Sequence, residues 1–121
     1  MANALNWFEI PVTDMNRAQE FYSTIFGIEL ATMEAMAGFL MAMFPAEDGV
    51  GGALIRGDGY VPSTVGTVVY LNGGEDLSSV LNKVEGVGGK VLMPKTDIGQ
   101  HGFVAFFTDT EGNKVGLHSM G

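Results

Sequence analysis

The sequence predicts an α+β fold made of two tandem β-α-β-β-β modules, each with one helix laid on one face of a half-sheet. Three observations predict it. The chain repeats itself: Val12-Thr13-Asp14 opens a helical stretch closed by Gly27, and Gly74-Glu75-Asp76 opens another closed by Gly89, an offset of about 62 residues. Each stretch follows a segment that reads as a strand and precedes short apolar runs punctuated by glycine. The match continues to the last hairpin, where Val104-Ala105-Phe106-Phe107 falls on Met41-Ala42-Met43-Phe44 and Gly112 on Gly49, with about one residue inserted.

The first module begins with alternation over residues 5–12. Phe8, Ile10 and Val12 fall on one face and Trp7, Glu9 and Pro11 on the other, the period of a strand. Thr13 or Asp14 can accept a hydrogen bond from the free amides that open a helix. Ala18, Phe21, Tyr22, Ile25 and Phe26 then form one apolar stripe, and Gly27 suits the left-handed end of a helix. Strands are expected over 28–34, 38–44 and 51–56, with Ala46-Glu47-Asp48-Gly49 as the turn between the last two.

The second module repeats the plan. A strand over 67–72 places Val69 and Leu71 opposite Val68 and Tyr70. Asp76 caps a helix carrying Leu77, Val80, Leu81 and Val84 at helical spacing. Gly86 weakens its end and Gly88-Gly89 finishes it. Strands over 90–93, 102–108 and 113–118 follow, the last two joined by the tight turn Asp109-Thr110-Glu111-Gly112-Asn113.

The chain is therefore expected to be one domain over 1–121, with module one at about 4–56, a Gly-rich linker with Pro62 at about 57–66, and module two at about 67–119. Parity sends Phe8, Ile10, Val12, Val69, Leu71, Val115 and Leu117 beneath the helices. It sends Trp7, Glu9, Val68, Tyr70, Gly116 and His118 to the open side. Two half-sheets side by side form a cupped mixed sheet with the helices on its convex face, and the cleft suits a small molecule.

Composition narrows the function classes. A hydrophobic share of 46% supplies a core. A net charge of −8 with only six Lys and Arg disfavours nucleic acid, whose phosphates need clustered cations. The absence of cysteine excludes disulfides, thiolate metal sites and cysteine nucleophiles. No basic stretch leads into an N-terminal apolar run, and no segment reaches the ~18 apolar residues of a membrane span. A cytoplasmic protein with no membrane partner is the expectation. No Lys-Ser or Lys-Thr follows the glycines at phosphate-loop spacing, and no Ser-His-Asp order suggests a triad.

These motifs carry a resemblance. The opening Trp7-Phe8-Glu9-Ile10-Pro11-Val12-Thr13-Asp14, with Arg17-Ala18, Phe21-Tyr22 and Phe26-Gly27, resembles that of glyoxalase-like proteins. Phe106-Phe107-Thr108-Asp109-Thr110-Glu111-Gly112-Asn113 is similar to their closing hairpin, with Thr110 where proline is commoner. The chain thus resembles the vicinal oxygen chelate superfamily: glyoxalase I, extradiol dioxygenases, and bleomycin and fosfomycin resistance proteins. The resemblance covers essentially the whole chain, and its motifs specify fold better than reaction. It implies a homodimer. It also implies a divalent metal held by His, Glu or Gln on the first and last strands of each module. The corresponding positions here are Trp7, Val68 or Val69, Ala53 and Gly116, none of which offers a side-chain donor. No metal and no other cofactor are therefore expected.

Other residues remain to carry chemistry. Glu9 shares the face of the first position and is the candidate catalytic residue, as a general base or a cation-binding group. The alternative is a structural acceptor, or an ion pair with Arg17 or Arg56. His118 and His101 could join Glu9 in a displaced metal site, touch a ligand or lie solvated. Trp7 and Tyr70 offer stacking area and a polar tip, or else fill the cleft as core. Met33, Met36, Met41 and Met43 flank one hairpin and suit an adaptable surface, a core or a dimer interface equally. The candidate ligand-binding set is Trp7, Glu9, Met41, Tyr70, His101, Phe103 and His118.

Two functional expectations follow. One is a metal-independent protein that binds a small organic molecule, as glyoxalase-like and bleomycin-resistance proteins do by resemblance. The other is an enzyme, a lactoylglutathione-lyase-related lyase or isomerase or a dioxygenase, with Glu9 as base or with a relocated metal. A degenerate domain acting as an interaction module is the third possibility.

Overall fold

The computed structural model describes residues 3–34 and 38–121. Strand β1 (Trp7–Pro11) leads into helix α1 (Met15–Phe26), followed by β2 (Ala31–Glu34), β3 (Leu40–Met43) and β4 (Gly51–Arg56). The second module holds β5 (Tyr70–Asn72), α2 (Ser78–Val84), β6 (Lys90–Asp97), β7 (Phe103–Thr108) and β8 (Lys114–Ser119). The sheets have the orders β1-β4-β3-β2 and β5-β8-β7-β6. In each, the first strand lies parallel to the last and the other neighbours are antiparallel. This is the α+β fold with one helix per module that the repeat predicts.

Helix α1 starts where its cap dictates. Asp14 is extended, and its carboxylate accepts the Arg17 amide at 3.1 Å. Gly27 ends the helix at φ 64°, a conformation that costs glycine nothing. The stripe Met15, Ala18, Phe21, Tyr22 and Ile25 is buried. At α2 the cap is offset by one residue: Leu77 is the N-cap, and Asp76 accepts the Ser78 amide and the Lys95 ammonium instead.

Several strand ends differ from the sequence reading for identifiable reasons. Strand β5 starts only at Tyr70, because the Lys114 amide that could extend its pairing bonds the linker carbonyl of Ser63. Strand β6 runs through Pro94 to Asp97. It lies at a sheet edge and shifts register on either side of Met93, which tolerates a residue without an amide donor. Strand β2 begins at Ala31, since Ile28 still bonds the helix carbonyl of Ser23. Met36, one of the four hairpin methionines, lies outside the described residues.

The two sheets share no ladder and meet along their first strands. Phe8 of β1 and Leu71 of β5 line one crevice of this seam, and Ile10 and Val69 line another. One continuous core, built from both sheets and both helices, lies behind it. Phe21 of α1 stands 5.8 Å from Phe107 of β7 and edge-on to Tyr22. Among the described residues, no helix is long and apolar enough to cross a membrane.

Polar groups of the β7–β8 hairpin lock the modules together. Asp109 accepts the Tyr22 hydroxyl at 2.7 Å, and Asn113 donates to the Pro11 carbonyl at 2.7 Å. Glu111 accepts the Thr13 and Asp14 amides at 2.8 Å each and pairs with Arg17 at 2.7 Å. Its side chain is shut away from solvent. Burial opposes its charge, but the bonds from Arg17, Asp14 and Thr13 prevail and hold its pKa at about 2, below the ordinary 4.5. Burial, and then the Asp109 carboxylate, push Tyr22 well above its ordinary value.

A lowered carboxyl pKa stabilises the fold fully above its unfolded value and is lost as the pH falls through the folded value. Glu111→Gln is expected to cost about 2 kcal/mol near neutral pH. The difference from the parent chain should shrink as the pH falls from about 4.5 towards 2. Urea unfolding of both chains across that range checks it; a constant difference would refute the assignment.

Candidate functional site

Ladder registers align the open faces of the two modules. Glu9 pairs with Ala53, and Tyr70 with Gly116. Ala53 and Gly116 hold equivalent places after the turn glycines Gly49 and Gly112, so Tyr70 stands in module two where Glu9 stands in module one. By the same register Val68, rather than Val69, is the counterpart of Trp7.

Aromatic rings occupy the space that absent side chains leave. The Trp7 ring packs over its ladder partner Gly51. The Tyr70 ring lies over Gly116 so closely that a Cβ there would come within 2.5 Å of it. Ala53 is fully buried. The positions opposite Glu9 and Tyr70 are thus closed by packing as well as lacking donors.

Glu9 is the best-defined polar group of the open face. One oxygen accepts Trp7 Nε1 at 3.4 Å and the other accepts the Tyr60 hydroxyl at 3.0 Å. The hydrogen bond to Glu9, with a smaller effect of burial, raises the Tyr60 pKa. The ion pair with Arg17 or Arg56 weighed from sequence does not form: Arg17 is held by Glu111, and Arg56 has no carboxylate oxygen within 4.0 Å among the described residues. Sequence reasoning missed Tyr60, which lies in the stretch read as a linker. Its only signal was an aromatic residue among glycines.

The other candidates gather in module two. Tyr70 is 49% exposed, with its ring 5.6 Å from Phe106, and Trp7 is 40% exposed, so neither is core. Tyr70, Asn72 and His118 line a depression of about 480 Å³. His118 Nε2 lies 2.6 Å from the carbonyl oxygen of His101, which sits exposed on the 3-10 turn Gly99–His101. Met41 is half-buried on the open side of β3, opposite Ile55. Phe103 lies apart from the other candidates. It shares the parity of Ala105 and Phe107, packs against the core on the helix side and lies under the Lys95 ammonium at 4.5 Å. The structure therefore forms two groups: Trp7-Glu9-Tyr60, from module one and the linker, and Tyr70-His118-His101, from module two.

Comparison with known proteins places the fold. The family described as the Glyoxalase/Bleomycin resistance protein/Dioxygenase superfamily matches residues 4–117. The chain belongs to this superfamily. "Putative glyoxylase CFP32" of Mycobacterium tuberculosis (strain CDC 1551 / Oshkosh) is 30% identical over 128 residues, covering 93% of this chain and 44% of that protein. Its counterpart in Mycobacterium bovis matches equally. The chain spans less than half the length of these curated relatives.

Solved structures agree on the fold. TnmS3, an antibiotic binding protein from Streptomyces sp. CB03234, superposes with a TM-score of 0.64 at 24% identity, over 100% of this chain and 99% of that one. A mutant of glyoxalase I from Zea mays gives 0.68 at 22% identity, over 95% and 46%. The fosfomycin resistance protein FosX from Listeria monocytogenes gives 0.67 at 16% identity, over 98% and 92%.

The residues present do not fit the divalent metal of the superfamily. Trp7, Val68, Ala53 and Gly116 have no ligating side chain, and two of these places are filled by packing. Nor do Glu9, His101 and His118 assemble a displaced site: among the described residues no three His, Asp or Glu converge.

The contact with a carbonyl oxygen requires a proton on His118 Nε2 and leaves Nδ1 the acceptor of the neutral ring. Nitrogen-15 NMR at alkaline pH is expected to show the Nε2–H tautomer for His118 and a mixture for exposed His101. A dominant Nδ1–H form at His118 would contradict this contact.

Proposed function

We propose that this superfamily member binds a small organic molecule on the open face of its sheets without a divalent metal. The supporting observation is the Trp7-Glu9-Tyr60 group. It sets a carboxylate, with both oxygens already serving as acceptors, beside a broad exposed ring. Such a group suits a guest that presents donors or positive charge to Glu9 and an apolar surface to Trp7. A net charge of −8 favours the same guest. The name of TnmS3 as an antibiotic binding protein is consistent with sequestration.

The competing reading is a lyase, isomerase or dioxygenase-like enzyme with Glu9 as general base. Its support is the mycobacterial relatives' name.

Trp7 is the sole tryptophan, so its fluorescence reports directly on the open face. A screen of organic amines and aromatic antibiotics is expected to yield saturable quenching that needs no added metal and survives chelator. Glu9→Gln should weaken that binding about tenfold, the loss of one charge-assisted hydrogen bond. Metal-dependent turnover, or turnover abolished by Glu9→Gln, would favour the enzyme.

A homodimer in the cytoplasm belongs to the same proposal. Exposed Trp7, Met33 and Tyr70 are the surface that a second copy would cover. Sedimentation at micromolar concentration is expected to show a dimer, and a monomer would remove this part of the proposal.

A further inference from the structure

A second cavity lies apart from Trp7 and Tyr70, at the end of the first sheet. It is an open depression of about 570 Å³, lined by Val12, Thr13, Phe39, Arg56, Asp58 and Tyr60, with Gly38 and Gly57. Its walls are built before any ligand arrives. The Phe39 ring is laid over Gly57, where any side chain would collide with it. Tyr60 meets Phe39 edge-on, with centroids 5.7 Å apart and planes at 81°. The Tyr60 hydroxyl is committed to Glu9, which fixes that ring at the cavity wall.

The charge in this cavity is unusual for the chain, which has six Lys and Arg against fourteen Asp and Glu. Arg56 leaves the end of β4 and is exposed. Among the described residues its guanidinium makes no ion pair, although Asp58 lines the same cavity. It also lines an adjoining depression of about 340 Å³ with Thr13 and Asp14, so it is reachable from two sides. A planar guanidinium with unengaged donors matches a carboxylate, and the two rings offer faces and edges to a flat body.

We infer that this cavity is a binding site for a small planar organic monocarboxylate, with the carboxylate on Arg56 and the ring against Phe39 and Tyr60. Asp58 restricts it to one negative charge, since a second would face that carboxylate. The site shares Tyr60 with the Trp7-Glu9-Tyr60 group, but its cation and Phe39 belong to neither of the two groups described there.

The test is an amide NMR titration of the full chain with benzoate, the phthalate dianion and benzylammonium. Benzoate is expected to give saturable shifts at Gly57, Asp58 and Tyr60, with phthalate weaker. Arg56→Gln should weaken benzoate about tenfold. Its unchanged amide spectrum elsewhere would show an intact fold, as expected for a side chain without partners. Absence of shifts at those residues, undiminished binding by Arg56→Gln, or tighter binding of phthalate or benzylammonium would each overturn the inference. Trp7 quenching by amines is a separate readout, so either proposal can fail without the other.

Discussion

The hairpin between β7 and β8 is the constraint on which the rest of the structure depends. Each module alone is about 60 residues and would bury too little surface to be secure. The sheets do not bond to each other, so something else must fix their relation. Asp109, Glu111 and Asn113 do so by reaching from module two to the Tyr22 hydroxyl, the Thr13 and Asp14 amides and the Pro11 carbonyl. They satisfy backbone groups at the end of β1 and the start of α1 that no bond within the strand or helix takes up. The aromatic contact between Phe21 and Phe107 fills the space behind them.

That lock also positions the open face. With β1 and β5 fixed at the seam, strand parity leaves Glu9 and Tyr70 at equivalent places of two related sheets. The superfamily scaffold would set metal donors around these places. Here Trp7, Val68, Ala53 and Gly116 offer no such donor, and the Tyr70 ring covers Gly116. Fold and chemistry are therefore separable in this chain, as expected when a function resides in a few side chains grafted onto a stable frame. What these places present instead is a surface of rings around one carboxylate.

The stretch between the modules has more than a connecting role. Tyr60 bonds Glu9 with its hydroxyl and walls the neighbouring cavity with its ring. The Ser63 carbonyl accepts the Lys114 amide and the Ser63 amide donates to the Asn113 carboxamide oxygen, replacing the start of β5 as a partner for β8. Composition, rich in Gly and marked by Pro62, identifies a segment without regular structure. It says nothing of which strand edge the segment will complete.

The sequence by itself determined the features that depend on neighbours along the chain. These are the duplicated order of elements, the cap at Asp14 and left-handed stop at Gly27, the buried stripe of α1, the turn at Asp109–Asn113, and the faces to which Trp7, Glu9, Tyr70 and His118 belong. Period and capping are local properties, which is why they could be read. The tertiary structure decided what depends on distant residues meeting. It gave Arg17 to Glu111 rather than Glu9, brought Tyr60 to Glu9, turned His118 onto the His101 carbonyl, and placed Phe103 against the core. It also carried β6 past Pro94, because an edge strand needs no amide donor on its outer side. Partner choice is a competition in three dimensions, settled by which groups are brought within bonding distance.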